Sequence, residues 1–295
     1  ADELSYIFLL TTCLVMPVVI LAAKEKQALL FSLLLLFQGL LFIFFTAKDL
    51  VVFTIFFEAA LLPVYFIMVF WGSHESKKAA MKFIVYMIGG SCLLVAAVFA
   101  LYFSGGSFNL DILAKTAEKL PYAVFICAAF FLAFAVKTPL FPFHGWLSDA
   151  YTEAPLTATL LLSALLSKLG IYGFFRIGFS LFPNFMTVSS PYFLNLAIFA
   201  VIYGAFAAWM QKDYKRLIAY SSFSHVNFIV AGVFILNKTA HQGALLQVLN
   251  HAITIVGLFL VASFLEEKIH TRALHKHRGL AAAMPKLCWL TLIFV

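Results

Sequence analysis

Charge is what this sequence has least of. Only 11% of its 295 residues are Asp, Glu, Lys or Arg, against 64% apolar, and the mean hydropathy is +1.01. A soluble domain carries about 25% charged residues, so an ordinary water-covered globule, a disordered chain and a nucleic-acid binder are excluded. Cysteine is scarce as well. Cys13, Cys92, Cys127 and Cys288 stand apart in apolar surroundings with no CxxC spacing, which argues against a disulfide framework or a thiolate metal site and leaves them as small hydrophobes. No GxGxxG loop is present to cradle a dinucleotide, no period-two alternation marks a membrane β-barrel, and no signal-peptide layout opens the chain. The formal charge of +7 does not point to an acidic ligand, because the basic residues fall between long apolar runs. What remains is an integral membrane protein. Its 35 Phe carry no functional reading, since Phe and Leu suit lipid equally.

A membrane helix needs roughly 20 apolar residues. On that basis the runs 5–23, 27–47, 50–72, 82–103, 121–147, 156–180, 190–211, 217–236 and 242–265 predict nine spans. A tenth begins after Pro285. The fold class expected is an all-α polytopic helix bundle. The chain opens on Ala1 and stops at Val295 inside an apolar run, and it is read as part of a longer protein. Thirteen of the 20 basic residues, among them Lys24, Lys26, Lys82, Lys215, Arg216, Arg272 and Arg278, fall in connections on one side. Five (Lys48, Lys115, Lys119, Arg176, Lys238) fall on the other, and Lys137 and Lys168 lie within the membrane. The positive-inside rule then places the start of the chain outside and the 266–285 connection in the cytoplasm or matrix.

The informative residues are those that a lipid-facing helix avoids. Glu58, Lys137, Lys168, His225 and His251 each sit well inside an apolar run. A Lys or Asp at a helix centre costs about 2.5–3.5 kcal/mol on insertion scales, so such groups face the bundle interior and have partners. At ~1.5 Å per residue, all five lie roughly 13–24 Å from the outer ends of their spans, in one mid-membrane layer. That layer suits a relay running in the membrane plane, with water access at its ends. A Glu–Lys pair that closes and opens could drive a proton on or off a neighbouring lysine. Lys168, with no acid on its own helix, is best placed to switch between neutral and charged.

The run Lys137-Thr138-Pro139-Leu140-Phe141-Pro142 interrupts the fifth span. Each proline removes an N–H and clashes with the carbonyl four residues earlier, here those of Ala135 and Thr138. Broken helices at membrane depth line cavities or are buried in protein, and they mark ion sites in transporters. Pro63 is expected to disturb the Glu58 helix more mildly. Ser221, Ser224 and Asn250, with Ser163, Ser167, Ser222 and Asn227, could hold waters between the titrating groups or join helices. His144, near the inner end of the broken helix, is a candidate for cytoplasmic access. His270, His275 and His277 lack zinc spacing and read as a solvated or partner-facing loop.

The segments AFAVKTPLFPFHGWLSDAYTEAPLTATLLLSALLSKLGIYGFFR, QKDYKRLIAYSSFSHVNF and LLQVLNHAITIVGLFL closely resemble the antiporter-like, proton-translocating subunits of respiratory complex I. FFEAALLPVYFIMVFWGS followed by KKAAMKFIVYMIGGS is most similar to the M-type chains (mitochondrial subunit 4). The resemblance covers essentially the whole chain. It implies a fourteen-helix fold with two inverted repeats, each holding a broken helix, of which this chain would supply the third to eleventh helices. The first repeat would run over about 27–180 and the second from about 190, within one domain. It further implies that Glu58 is the paired glutamate, Lys137 its partner, Lys168 the central lysine, and His225 and His251 the histidine part of the relay. The terminal ionisable group would lie beyond Val295.

The implied function is proton translocation driven by NADH oxidation and quinone reduction elsewhere in the complex. FMN, iron–sulfur clusters and quinone would be held by other subunits and no cofactor by this one. The implied partners are the other membrane subunits, paralogous antiporter-like chains included, together with protons, internal water and lipid. The implied location is a bacterial inner membrane, with the mitochondrial inner membrane as the alternative. Three readings compete: a subunit of a multisubunit Na⁺/H⁺ antiporter or membrane-bound hydrogenase; a cytochrome b-like carrier with His225 and His251 as axial ligands; and a purely structural scaffold.

Overall fold

The computed structural model describes residues 2–24, 27–276 and 279–295; Lys26, His277 and Arg278 lie outside them. The described elements are helical: α1 (Glu3–Ala22), α2 (Ala28–Thr46), α3 (Leu50–Ala59), α4 (Leu61–Trp71), α5 (His74–Gly105), α6 (Leu110–Thr116), α7 (Ala123–Lys137), α8 (Leu147–Glu153), α9 (Leu156–Leu161), α10 (Lys168–Gly173), α11 (Pro183–Trp209), α12 (Tyr214–Phe234), α13 (Lys238–Ile269), α14 (Leu280–Ala283) and α15 (Pro285–Phe294). Eight stretches are long and apolar enough to cross a membrane, α3 with α4 and the run 156–179 each counting as one. The ninth expected span is the broken one, α7 and α8 joined by turns. α15 is the start of the tenth.

Several helices outrun their apolar sequence. α5 starts at His74 and α13 extends over Lys238–Ile269, each 32 residues long, about 48 Å against a hydrocarbon core of about 30 Å. Their polar ends stay helical because Ser73 and Asn237 accept the N–H groups of Ser76 and Ala240, satisfying donors that a helix start leaves open.

Ion pairs gather the basic connections at one end of the bundle. Asp149 takes both Lys82 (2.7 Å) and Arg216 (3.0 Å), Glu266 takes Lys215 (2.5 Å), and Glu267 takes Lys24 (2.6 Å). At the far end of α5, the Leu50 N–H donates to the Phe108 carbonyl and the Leu110 N–H to the Lys48 carbonyl. The same turn recurs at the basic end, where the Tyr214 N–H donates to Arg272 and the Leu274 N–H to Lys212. Asp49 caps α3 and Asp213 caps α12 in the same way. These positions, and the limits of α5 and α13, are all 164 residues apart (213 less 49, 238 less 74, 269 less 105). The same turns and the same long-helix limits therefore recur in two units, running in opposite directions along the bundle.

The core is aromatic where the first unit meets α1 and α10. Phe44, Phe45, Phe53, Phe57 and Tyr172 pack ring on ring, with Phe134 closing the cluster through Phe53 and Phe57. The Tyr172 hydroxyl donates to the Phe45 carbonyl at 2.8 Å. Such rings bury large areas with fixed geometry, and this block holds α3 and α7 in place beneath the charged residues.

Candidate functional site

The break after α7 is built by its prolines and repaired by its neighbours. Pro139 cannot donate to Ala135, whose carbonyl takes the Leu140 N–H at 2.9 Å. The Val136 carbonyl, which Leu140 would otherwise serve, accepts the Trp146 indole N–H at 3.1 Å. The Pro139 carbonyl accepts from Asn227 at 3.4 Å, and the Phe141–Pro142 peptide is cis. Backbone freed at membrane depth is tolerated when protein re-satisfies it in this way. At Pro63 the disturbance is milder: the chain turns at Ala60, between α3 and α4, and the span continues.

Lys137 is the last residue of α7, where the unpaired carbonyls of a helix end favour a cation. Its buried ammonium donates to the Phe57 carbonyl at 2.5 Å, lies 3.2 Å over the Phe57 ring, and stands 3.9 Å from Glu58 Oε1. Glu58 Oε2 accepts from the Ser91 hydroxyl on α5, while Oε1 has no hydrogen-bond partner. The pair is thus in contact without being closed. At that separation the bare Coulombic attraction is about 4 kcal/mol at an effective dielectric of about 20, and the cost of taking the two charges out of water offsets it.

Lys168 heads α10 between two stretches with widened π-type turns, 162–166 and 174–179. Such bulges leave carbonyls off the regular ladder and recur at functional sites. Buried here, the Lys168 ammonium donates to the Ser163 carbonyl, lies 3.2 Å from Ser167 Oγ, and is 2.8 Å from His251 Nδ1. His251 Nε2 is in turn 3.1 Å from Ser222 Oγ. The His225 ring lies 6.2 Å from that of His251, centroid to centroid. Both histidines line a cavity of about 400 Å³ with Ser221, Ser222, Asn250 and Thr254.

Four of the five titratable groups therefore form two clusters, Glu58–Lys137 and Lys168–His251; His225, expected in the interior, is exposed and only lies beside the second, its ring 6.2 Å from that of His251. Among the described residues no hydrogen bond or ion pair joins Lys137 to Lys168. Their helices nevertheless pack tightly: a Cβ placed on Gly170 would meet Thr138 Oγ1 at 1.9 Å and the Phe134 carbonyl at 2.5 Å. Thr138 Oγ1 and Asn227 Oδ1 are buried at the break without hydrogen-bond partners. His144 is enclosed by the rings of Phe141, Tyr203 and Phe223, its Nδ1 unpartnered. Ser224 donates to the Val201 carbonyl on α11, joining helices and facing away from the histidines. Both nitrogens of His251 are engaged by Lys168 and Ser222, which leaves neither for an axial bond to iron.

Residues 47–295 match the family described as NADH:quinone oxidoreductase/Mrp antiporter, TM. The chain belongs to that family. Subunit M of the NADH-quinone oxidoreductase of Rickettsia prowazekii (strain Madrid E) is 36% identical over 288 residues, 97% of this chain and 58% of the relative. A chain of respiratory complex I from Thermus thermophilus with bound NADH shares 34% identity at a TM-score of 0.88, covering 100% of this chain and 63% of that one. A chain of the membrane-bound sulfane sulfur reductase, an archaeal respiratory membrane complex, shares 25% identity at 0.91, covering 99% and 62%. This chain spans less than two thirds of the length of each. The antiporter-like bundle expected from the sequence is the fold found.

Four contributors to this family member's site escape a sequence reading: Ser91, Phe57, Trp146 and the specific contact of Ser222. Ser91 and Phe57 are single residues in apolar helices, and only their closeness to Glu58 and Lys137 in space marks them. Trp146 could have been suspected, since a polar-tipped ring seven residues after a proline break is a ready donor for a freed carbonyl.

Proposed function

We propose that this chain is the core of a membrane subunit of an NADH:quinone oxidoreductase of the M type. In that reading it passes protons through the layer of Glu58, Lys137, Lys168, His251 and His225. Electron transfer from NADH through FMN and iron–sulfur clusters to quinone takes place in other subunits of the assembly. The observation that carries this reading is the chain of contacts from Lys168 to His251 to Ser222 at the edge of a polar cavity, with an open Glu58–Lys137 pair beside it. In the second unit Asp213 answers to Asp49, and on the same spacing α15 answers to α7.

The geometry supports transfer in two stages. When Lys137 closes onto Glu58 its positive field is neutralised; when it opens toward the Phe57 carbonyl, that charge repels a proton on Lys168. Thr138 and Asn227 carry the unpartnered oxygens through which water would bridge the two clusters. Lys168 then shares its proton with His251 Nδ1, and the cavity beside His225 receives it. The basic end of the bundle faces the cytoplasm or matrix, as the positive-inside rule requires.

The test is NADH-driven proton uptake in inverted membrane vesicles carrying the full-length subunit, with Glu58→Gln and Lys168→Met beside the parent. Assembly and quinone reductase turnover are measured in the same vesicles. The expected result is lost pumping in assembled complex. Unchanged pumping at unchanged turnover overturns the reading. The sulfane sulfur reductase likeness favours one second reading, a related respiratory complex without NADH chemistry, and in that case NADH drives no uptake while the assembly's own substrate does.

A further inference from the structure

The 164-residue correspondence between the two units places Glu58 and Ser222 at the same position, nine residues after the capping aspartates Asp49 and Asp213. It also places Met87 of α5 opposite His251 of α13, since their helices start and end in register. In the first unit, the side chain at this position on the short-turn helix meets a hydroxyl from the long helix, Ser91 against Glu58. In the second unit the roles are exchanged: the hydroxyl is on α12 and the titratable ring on α13, at 3.1 Å. In the first unit Glu58 faces Lys137 with a charge, whereas from the second unit an imidazole held by a hydroxyl, His251 with Ser222, faces Lys168 of α10.

The donor and acceptor inventory of that chain is restrictive. A charged Lys168 has only N–H donors, so His251 Nδ1 at 2.8 Å must accept, and the ring proton then sits on Nε2 and donates to Ser222 Oγ. The Ser222 hydroxyl hydrogen is then free to point elsewhere. A neutral Lys168 offers a lone pair, the ring can carry its proton on Nδ1, and Nε2 must accept from the Ser222 hydroxyl. Among the described residues Ser222 meets Nε2 in both states, its oxygen accepting the ring N–H in the first and its hydrogen donating to the bare nitrogen in the second, by rotation about a single bond. An alanine or valine there leaves a buried ring nitrogen without its protein partner in either state.

We infer that Ser222 is a positioning residue that ties the side of the His251 ring carrying the proton to the charge on Lys168. Its hydroxyl reports that charge at the cavity shared with His225, because Ser222 itself lines the cavity. The inference rests on the relay reading above.

The experiment uses the full-length subunit in its assembled complex. Ser222→Thr and Ser222→Val differ in shape by little and in the hydroxyl alone, with Ser222→Ala as a third variant and Lys168→Met beside them. Protons pumped per NADH oxidised are measured in inverted vesicles. Solid-state ¹⁵N spectra of histidine-labelled complex, assigned to His251 by difference against His251→Asn, read which ring nitrogen is protonated. The expected result is a pumping ratio within about twofold of the parent for Thr and a loss of about tenfold for Val and Ala. The His251 signal should move from Nε2–H toward Nδ1–H when Lys168 is replaced by Met, in the parent but not in Ser222→Val. Equal pumping by Thr and Val overturns the inference, and so does a His251 signal indifferent to both substitutions. If Lys168→Met pumps normally, it is the relay reading itself that fails. Should Val not assemble, the Thr and Ala spectra decide.

Discussion

The contact between α10 and the broken helix makes a sharp prediction at Gly170. A methyl added there would sit 1.9 Å from Thr138 Oγ1 and 2.5 Å from the Phe134 carbonyl, where ordinary carbon–oxygen contacts need more than about 3 Å. Thr138 can rotate away, but the carbonyl belongs to the α7 backbone and cannot. Gly170→Ala must therefore push α10 from α7 by the better part of an ångström. Over-packing of this kind costs about 1–3 kcal/mol. Lys168 sits two residues earlier, so the same shift stretches its 2.8 Å contact to His251 toward lengths at which a hydrogen bond no longer counts as one. The matched control is Gly89→Ala in α5, where the added methyl meets nothing within 4 Å and replacing a mid-helix glycine should gain about 0.5–1 kcal/mol. Thermal denaturation of the purified assembly, followed by a thiol-reactive dye, gives the stabilities, and vesicle proton uptake gives the function. A Gly170→Ala protein as stable as the Gly89→Ala protein and pumping normally would refute the close approach and the account of Lys168 built on it.

Other outcomes follow from single contacts. Trp146→Phe keeps the packing but leaves the Val136 carbonyl unpaired; a loss of about 1–3 kcal/mol should appear in the same denaturation assay, larger than for a surface Trp209→Phe. Arg272 contacts the Thr152 carbonyl, Glu153, Asp213 and Glu266 with different faces of one guanidinium, so Arg272→Lys should lower the melting temperature almost as far as Arg272→Ala, because a lysine cannot reproduce the fork. Asp2 is opposed by partial burial, but the N–H and hydroxyl of Ser5 and the charge of Arg176 more than offset that and hold its carboxyl at about 2, against an ordinary 3.8. A depressed folded value stabilises above the unfolded one, so the melting difference between the parent and Asp2→Asn should be present above pH 4 and vanish as pH falls through about 2. With the side chain 48% exposed it should stay below about 1 kcal/mol.

Much of this protein is legible along the chain because lipid imposes a simple rule. Apolar runs fix the spans, and titratable residues inside them are expensive enough to be noticed: Glu58, Lys137, Lys168 and His251 stand out for that reason alone. Prolines at 139 and 142 announce the break, since no partner can restore a missing N–H. Helix ends were less legible. Hydropathy stops where water begins, whereas α5 and α13 continue past it on capping side chains such as Ser73 and Asn237. The pairing of groups from distant helices was not legible at all. That Ser91 and not another hydroxyl meets Glu58, that Ser222 holds His251 while Ser224 binds α11, and that the titrating row divides into two clusters all depend on helix rotation and on glycine-sized gaps such as Gly170. Composition and periodicity determine which residues must leave lipid. Only the packing of helices against one another decides which of them meet, because a rotation by a fraction of a turn, invisible in a uniformly apolar helix, carries a side chain from one neighbour to the next.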